Sequence, residues 1–272
     1  MDRIKAAVVQ VCATEDVQAN LNRAEELIRA AAADGATWVS VPENVGFLKT
    51  GEDRDPGEPL QSSVIVNRLR GVAADLGIAL LIGSFHEATG LGDGRAYNTS
   101  LLVDATGEIA AKYRKIHLFD IDLAGSPVSF RESDDIKPGE AAVLAQLGDT
   151  RIGLTVCYDL RFPELYRELL SAGAEVLTCP AAFTNTTGHA HWEVLLRARA
   201  IENQCYVVAP NQWGRHGGRR HSYGHSMIID PWGTVVARVS DGEGWASAWL
   251  EPDLVASVRR NLPCQQHRRI GV

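Results

Sequence analysis

Features that mark several other classes of protein are missing from this 272-residue sequence. Its five cysteines include no Cys-x-x-Cys pair, which argues against a zinc ribbon or a disulfide framework. No apolar run approaches the roughly 20 residues of a membrane span, and the first residues lack the apolar stretch and cleavage site of a signal peptide. The net charge of -7 gives no reason to expect nucleic acid or an anionic membrane as a partner. A cytoplasmic protein in a reducing environment fits these absences.

Metal-ligand motifs are also missing, although histidines occur in groups. His189 and His191 form a His-x-His pair, and His216, His221 and His225 lie close together in the sequence. Neither group comes with a HExxH pattern or with neighbouring cysteines, so we predict no metal site.

Alternation of strands and helices occurs twice along the chain. The first half has predicted strands 4–11, 37–41 and 78–83, helices 20–33 and 62–76, and a hairpin of 98–103 and 108–113. The second has strands 151–156, 175–179 and 205–209, helices 163–172 and 191–204, and a hairpin of 226–229 and 234–239. Two such halves predict an α/β fold, a four-layer α-β-β-α sandwich of two mixed sheets. Tight hairpins argue against the alternative, a single doubly wound parallel sheet.

One domain is expected to span residues 1–272, since α/β folds of this length are often undivided. Asn20 is the predicted N-cap of the first helix. Residues 116–139 are polar and rich in turn formers, which predicts a long irregular loop. The segment 241–272 should hold a last strand, a short helix and a basic tail, and its tryptophans could pack on the core or on another subunit.

Residues 151–172 contain the most informative stretch, RIGLTVCYDLRFPELYRELLSA. A buried strand ends there and a helix begins at Pro163, which places Cys157 on the sharp connection between them. A helix N-terminus favours a thiolate over a thiol, so Cys157 is a candidate nucleophile. The alternative is a small buried side chain in the core, which is common for a cysteine.

Two further residues follow predicted strands in the same way. Glu43 comes after the strand 37–41, and Lys115 closes the first hairpin. Strand ends gather the sites of α/β sheets, so these groups could meet Cys157. The ammonium of Lys115 would then stabilise a thiolate and an oxyanion, and the carboxylate of Glu43 would transfer protons.

The segments IKAAVVQV, VPENVGF, KYRKIHLFD, GLTVCYDLRFPELYR and GHSMIIDPWGTVVA resemble the nitrilase superfamily of carbon–nitrogen hydrolases over nearly the whole chain. The resemblance implies the four-layer sandwich, no metal, no organic cofactor and a homodimer formed through the helical face that includes helix 163–172. It also implies that Glu43 is the general base, Lys115 the oxyanion-stabilising cation and Cys157 the nucleophile. Glu132 matches a second glutamate that supports Lys115.

Within the superfamily, the segments KIHLFDID and LPCQQHRR, among others, resemble the Nit branch. This resemblance implies a small anionic amide as the substrate. One candidate is deaminated glutathione, which would yield 2-oxoglutarate and cysteinylglycine, and the other is 2-oxoglutaramate, the substrate of ω-amidases. The block LAGSPVSFRES after Asp122 is closer to ω-amidase-like members, so both stay open. Less favoured are a nitrilase, an N-carbamoyl amidohydrolase and a catalytically silent binding protein of the same fold.

An anionic substrate requires cations or N–H donors. Arg161 is the first candidate, because arginine binds carboxylates with two parallel hydrogen bonds, and the alternative is a structural ion pair with Asp159 or Glu164. Tyr158 would donate its backbone N–H to the oxyanion, and Phe183 and Thr184 would line the pocket.

The basic segment 214–222, GRHGGRRHS, could act as a lid that meets a distant substrate carboxylate. His117 raises a papain-like Cys–His alternative, which the family pattern disfavours because it assigns proton transfer to glutamate.

Overall fold

A computed structural model describes residues 1–51, 57–122, 129–218 and 220–270. The helices are α1 (Val17–Ala33), α2 (Val64–Leu76), α3 (Pro163–Ser171), α4 (Asn185–Asn203) and α5 (Pro252–Asn261). Two short 3-10 helices cover Glu132–Asp134 and Cys157–Arg161. The strands are β1 (Ile4–Gln10), β2 (Trp38–Ser40), β3 (Ala79–Ala88), β4 (Ala96–Val103), β5 (Ile109–Arg114), β6 (Asp120–Asp122), β7 (Ser129–Arg131), β8 (Ile136–Lys137), β9 (Val143–Leu147), β10 (Thr150–Leu154), β11 (Val176–Thr178), β12 (Tyr206–Ala209), β13 (Trp213–Gly217), β14 (Arg220–Tyr223), β15 (Met227–Ile229), β16 (Val235–Arg238) and β17 (Gly244–Leu250).

Two large mixed sheets follow the same plan. The first has the order β17-β1-β2-β3-β4-β5, with β8 paired to β4, and the second has the order β16-β15-β12-β11-β10-β9. In each sheet three central strands are parallel, namely β1-β2-β3 and β10-β11-β12, and an antiparallel hairpin continues one side. An antiparallel strand completes the other side, β17 on β1 and β9 on β10. The predicted repeat of two similar halves is therefore present in the topology.

Strand β1 shows how the layers form, because its side chains are buried on both faces. Ala6 and Val8 pack in a cluster with residues of the second sheet, while Ala7 and Val9 pack in a cluster with α1 and α2. Alternate residues of a strand point to opposite faces, so the first sheet lies between the second sheet and these helices. Residues of α3 and α4 join the cluster of the second sheet. The predicted four-layer α-β-β-α sandwich is confirmed.

The helix boundaries correct two sequence-based expectations. Helix α1 begins earlier than predicted, and its N-cap is Asp16, whose carboxylate accepts from the N–H of Ala19 at 3.0 Å. Asn20 instead lies inside the helix and is buried, donating to the carbonyls of Thr14 and Gly46. Helix α4 also begins six residues before the predicted position. Its first turns carry polar residues without an apolar stripe, so periodicity gave no signal there.

Segments predicted to be irregular contain more structure than expected. Described parts of 116–139 form β6, β7, one 3-10 turn and β8, while residues 123–128, in the block compared with ω-amidases, lie outside the described residues. The described residues of the segment 214–222, which are 214–218 and 220–222, belong to the β13–β14 hairpin. Among the described residues no helix has the length and apolarity needed to cross a membrane.

The C-terminal segment packs on its own chain. Strand β17 pairs with β1 along seven residues, and Trp245 packs against the cluster that contains α1 and α2. Trp249 is 45% exposed, and the Arg3 guanidinium lies 4.0 Å from its ring centroid. The core is therefore the partner of Trp245.

Candidate active site

Three polar side chains that follow strands β2, β5 and β10 meet in one cavity of about 280 Å³. Glu43 lies three residues after β2, Lys115 directly after β5, and Cys157 three residues after β10. All three are buried, with exposed fractions of 3%, 2% and 8%. The meeting of these groups, which was inferred from the positions of strand ends, is present in the structure.

The segment that leads to Glu43 passes very close to strand β3. A Cβ atom on Gly83 would lie 2.1 Å from the carbonyl oxygen of Val41 and 2.3 Å from that of Pro42. Only glycine permits this approach, since any side chain would displace the backbone. Gly83 therefore sets the position from which Glu43 enters the cavity.

The carboxylate of Glu43 is held by three hydrogen-bond donors. Oε1 accepts from Asn98 Nδ2 at 2.8 Å and from Lys115 Nζ at 3.2 Å, and Oε2 accepts from the N–H of Ala182 at 2.7 Å. The Cys157 thiol lies close to this carboxylate and also lowers its pKa. Burial alone would raise the pKa of Glu43, but the Lys115 charge and these hydrogen bonds outweigh it and hold the pKa below its usual value. Glu43 is thus an ionised base in contact with the thiol.

Lys115 lies between two carboxylates. Its Nζ is 2.9 and 2.8 Å from the two oxygens of Glu132, in addition to its contact with Glu43. Glu132 is itself held by the N–H of Phe119 at 2.6 Å and by Asn98 at 3.2 Å. Burial would lower the pKa of Lys115, but Glu132 and Glu43 raise it well above its usual value. Lys115 therefore remains a fixed positive charge, and Glu132 occupies the supporting position predicted for it.

Cys157 begins a 3-10 turn, and its φ of 48° is in the left-handed region. The strand-to-helix connection is as sharp as predicted, but the 3-10 turn separates the sulfur from α3. Burial, followed by the charge of Glu43, raises the pKa of the Cys157 thiol well above its usual value, although Lys115 acts in the opposite direction. The expectation of a resting thiolate beside a helix N-terminus is therefore wrong. The thiol is protonated and has its base already in place.

The buried carboxylate of Asp159 holds this 3-10 turn in place. Asp159 accepts hydrogen bonds from Tyr113 Oη at 2.7 Å, from the N–H of Val156 at 2.8 Å and from the N–H of His117 at 3.1 Å. The His117 ring lies 2.7 Å from Asp159 and stacks on Phe162. His117 is absent from the described cavity wall, so the geometry gives no support to a papain-like Cys–His pair.

The remaining predicted residues, Tyr158, Arg161, Phe183 and Thr184, also line the cavity. The Arg161 guanidinium lies 5.7 Å from the ring centroid of Tyr158 and 5.2 Å from that of Phe183. Its hydrogen-bonding neighbour is His191 at 3.3 Å, and no carboxylate of the described chain forms an ion pair with it. The alternative of a structural pair between Arg161 and Asp159 or Glu164 is not observed.

Some of the cationic side chains in the cavity wall form ion pairs with carboxylates, and others do not. Five cations line it, and three have carboxylate partners, Lys49 with Asp135, Lys115 with Glu43 and Glu132, and Arg131 with Asp122. Arg161 and Arg220 have no ion-pair partner within the part of the chain that the structure describes. Arg220 belongs to the basic segment 214–222, but nothing in the sequence distinguishes it from the other arginines of that segment. Its position in strand β14, facing the cavity, depends on the register of the β13–β14 hairpin.

Comparison with known proteins places the chain in a family. The model of the carbon-nitrogen hydrolase family matches residues 5–260. The chain is 46% identical over 274 residues to deaminated glutathione amidase of Homo sapiens, covering 97% of this chain and 81% of that protein. It is 41% identical over 265 residues to deaminated glutathione amidase of Synechocystis sp. (strain PCC 6803 / GT-S), with 97% of each covered.

A solved structure has the same fold. The C. elegans NitFhit protein superposes with a TM-score of 0.90 at 38% identity, over 98% of this chain. The chain spans 65% of that longer protein. This chain therefore belongs to the carbon-nitrogen hydrolase family, and its resemblance to the Nit branch is confirmed. It is an amide-hydrolysing enzyme.

No group of three or more His, Cys, Asp or Glu side chains in the described ranges is arranged to hold a metal ion.

Proposed function

We propose that Cys157 attacks the carbonyl carbon of the substrate amide while Glu43 takes the thiol proton. The observation that carries this proposal is the buried Glu43 carboxylate in contact with both the Cys157 thiol and the Lys115 ammonium. The carbonyl oxygen becomes an oxyanion, which Lys115 and the backbone N–H of Tyr158 stabilise. Glu132 holds Lys115 in position throughout.

Glu43 then returns the proton to the departing nitrogen, the carbon–nitrogen bond breaks, and an acyl thioester remains on Cys157. In the second half of the reaction Glu43 takes a proton from water, whose oxygen attacks the thioester carbon. The carbon–sulfur bond breaks, the thiol regains its proton, and the carboxylic acid is released.

Deaminated glutathione is the proposed substrate. It carries a carboxylate on each side of the amide bond, and two relatives that are 46% and 41% identical bear the name deaminated glutathione amidase. The two cavity arginines that pair with no carboxylate among the described residues suit a substrate with two negative charges. Hydrolysis would yield 2-oxoglutarate and cysteinylglycine.

The chemistry is tested by trapping the thioester. Acid quenching of the wild-type enzyme during turnover should show an acyl adduct on the peptide that contains Cys157, by mass spectrometry. Cys157→Ala should lose the adduct and all turnover, whereas Cys264→Ala, which changes an exposed cysteine, should retain both. Turnover by Cys157→Ala would refute the mechanism.

The substrate is tested by comparing kcat/KM for deaminated glutathione and 2-oxoglutaramate with the same enzyme preparation. We expect the larger value for deaminated glutathione, with no hydrolysis of nitriles or ureido compounds. A larger value for 2-oxoglutaramate would identify an ω-amidase.

We also propose a homodimer formed through the helical layer of α3 and α4. Val194, Ile201 and Trp232 are 67%, 49% and 63% exposed. The first two are seven residues apart on one face of α4, and the turn at Gly233 packs against Ile201. Val194→Asp should reduce the mass measured by light scattering to that of a monomer. Leu91→Asp, at another exposed apolar position, should leave the dimer intact.

The proposed location is the cytoplasm. All five cysteines are free thiols, which is the usual state of cysteines in a reducing compartment. Fractionation of cells that express the protein from its own gene should recover the amidase activity with cytoplasmic markers.

A further inference from the structure

We infer that Arg220 binds a carboxylate on the leaving-group side of the substrate, and that Arg161 binds the carboxylate on the acyl side. The two arginines would then divide recognition of a substrate that is negatively charged at both ends. This inference rests on the proposed function. It adds to that function a preference for leaving groups that carry a carboxylate.

The surroundings of Arg220 leave its guanidinium available for a ligand. Arg220, in strand β14, lines the cavity. Its side chain is exposed to solvent, although neighbouring protein atoms surround much of it. It has no hydrogen bond or ion pair to any described residue. Lys49 and Arg131, the other cations on the cavity wall away from Cys157, are occupied by Asp135 and Asp122.

The hairpin that carries Arg220 is attached firmly to the cavity wall. The N–H of Tyr223 donates to the carbonyl of Phe183 at 2.9 Å, and Ser222 forms a β-bridge with Thr184. The buried His216 ring, in the adjacent strand, contacts the Ser222 hydroxyl at 2.8 Å. Arg220 is therefore presented from a paired strand, and a fixed backbone gives a guanidinium the alignment that bidentate carboxylate binding needs.

The position of Glu43 distinguishes the two sides of the cavity. In the proposed mechanism Glu43 returns a proton to the departing nitrogen, so the leaving group must lie on the Glu43 side of the sulfur. The hairpin that carries Arg220 adjoins Glu43. Gln212, directly before β13, donates from Nε2 to the Glu43 carbonyl at 3.0 Å. Ala182, two residues before the Thr184 that bridges to Ser222, donates to Glu43 Oε2 at 2.7 Å, so the hairpin lies on the Glu43 side.

Arg161 lies in different surroundings. It is four residues after Cys157 in the same 3-10 turn, and its guanidinium contacts Tyr158, Phe183 and His191. As the other cavity arginine that pairs with no carboxylate of the described chain, it is assigned to the acyl group, the part of the substrate that stays attached to Cys157 in the thioester.

The test compares three amides that share the 2-oxoglutaryl group. They are deaminated glutathione, its glycinamide analogue, in which the distant carboxylate is a neutral amide, and 2-oxoglutaramate, whose leaving group is ammonia. Arg220→Gln should reduce kcat/KM for deaminated glutathione roughly ten- to a hundredfold, since a hydrogen-bonded charge pair is lost. For the other two amides the change should stay within about twofold. Arg161→Gln should reduce all three values.

Two further variants control for misfolding. Arg215→Gln changes an exposed arginine of the same hairpin that does not line the cavity, and all three values should stay unchanged. Arg220→Lys keeps the charge and should retain part of the preference for the carboxylate over the glycinamide.

The outcomes separate the inference from the proposed function. If the wild-type enzyme hydrolyses deaminated glutathione but Arg220→Gln affects all three amides equally, or none of them, the role of Arg220 is refuted and the function stands. If the wild-type enzyme hydrolyses only 2-oxoglutaramate, both the proposed substrate and the role of Arg220 are refuted.

Discussion

At the scale of single residues, the protonated thiol of Cys157 lies beside an ionised base, the carboxylate of Glu43. Burial and the charge of Glu43 raise the pKa of Cys157, while Lys115 and the hydrogen bonds to Glu43 hold the pKa of the carboxyl down. A neutral thiol is a weak nucleophile until its proton is removed, so attack must be coupled to proton transfer to Glu43. This arrangement limits reaction of the sulfur with other electrophiles when no amide is bound.

Alkylation by iodoacetamide should reveal this coupling. At pH 7 the wild-type Cys157 should react more slowly than exposed Cys264, and its rate should rise with pH as the thiol ionises. Glu43→Gln removes the negative charge that opposes ionisation, so Cys157 should react faster at pH 8, by roughly tenfold per unit of lowered pKa, although turnover is lost. The rates are measured by mass spectrometry of each cysteine peptide.

Glu140→Gln, at an exposed position, is the matched control and should leave the alkylation rate unchanged. Slower alkylation of Cys157 in Glu43→Gln would contradict the assignment of Glu43 as the charge that keeps the thiol protonated.

Lys115 is also a residue on which the fold depends. Removing it in Lys115→Met would leave the buried Glu43 and the partly buried Glu132 without their cation, and breaking a buried charge group in this way costs about 3–5 kcal/mol. The free energy of unfolding, measured with urea at pH 7, should fall by that order. The loss should shrink toward pH 4, because protonation of Glu43 removes the negative charge that Lys115 compensates in the wild type.

Lys112→Met, in strand β5 just before Lys115, provides the comparison. Lys112 pairs with Glu87 but is 37% exposed, so its removal should cost less than about 1 kcal/mol. Equal losses for the two variants would show that the buried carboxylates do not depend on Lys115.

At the scale of elements, the 3-10 turn that carries Cys157 depends on Asp159. This carboxylate is fully buried and accepts from Tyr113, Val156 and His117. Asp159→Asn replaces an acceptor with an amide that cannot satisfy every one of these donors. We expect kcat to fall about tenfold or more with little change in KM, because the sulfur is misplaced while the cavity remains.

Tyr113→Phe and His117→Ala complete this test. Tyr113→Phe should destabilise the protein by about 1 kcal/mol through the loss of one buried hydrogen bond. His117→Ala should retain most of the activity, since the ring does not line the cavity. Loss of activity in His117→Ala with wild-type stability would favour a Cys–His mechanism instead.

The elements that the sequence predicted well have either a regular apolar pattern or a glycine or proline that marks where they end. Helix α2 ends at Gly77 as expected, with the glycine in the left-handed region. Strand β9 was missed because its residues Val143–Leu147 are only partly buried at a sheet edge and show no clear alternation. The turns and short strands between 116 and 139 were missed because long-range contacts form them, such as the hydrogen bond from Phe119 to Glu132.

At the scale of the whole molecule, the repeated order of elements was enough to predict two similar sheets and the meeting of Glu43, Lys115 and Cys157. The direction of the Cys157 pKa could not be predicted, because it depends on burial and on the closeness of Glu43. Arg220 could not be singled out for a similar reason. Which of the arginines in 214–222 faces the cavity depends on hairpin register, and a shift of one residue reverses the faces.

The stability of the whole fold should decline in alkali because two thiols besides Cys157 are buried. Burial raises the pKa of Cys179 to about 12 and that of Cys205 to about 11. In the unfolded chain both should ionise near pH 8.5. Above that pH the unfolded state releases protons that the folded state keeps, so the free energy of unfolding falls, by up to about 1.4 kcal/mol per pH unit for each thiol.

Urea unfolding between pH 8.5 and 10.5 measures this slope. Other groups also titrate there, so the informative quantity is the difference between variants. Cys205→Ala should be less stable than the wild type at pH 7.5 because a buried side chain is shortened, yet its stability should fall less steeply with pH, by about 1.4 kcal/mol per unit. Cys264→Ala, which changes an exposed thiol, should keep the wild-type slope. An unchanged slope in Cys205→Ala would mean that the buried thiol ionises in the folded state as readily as in the unfolded chain.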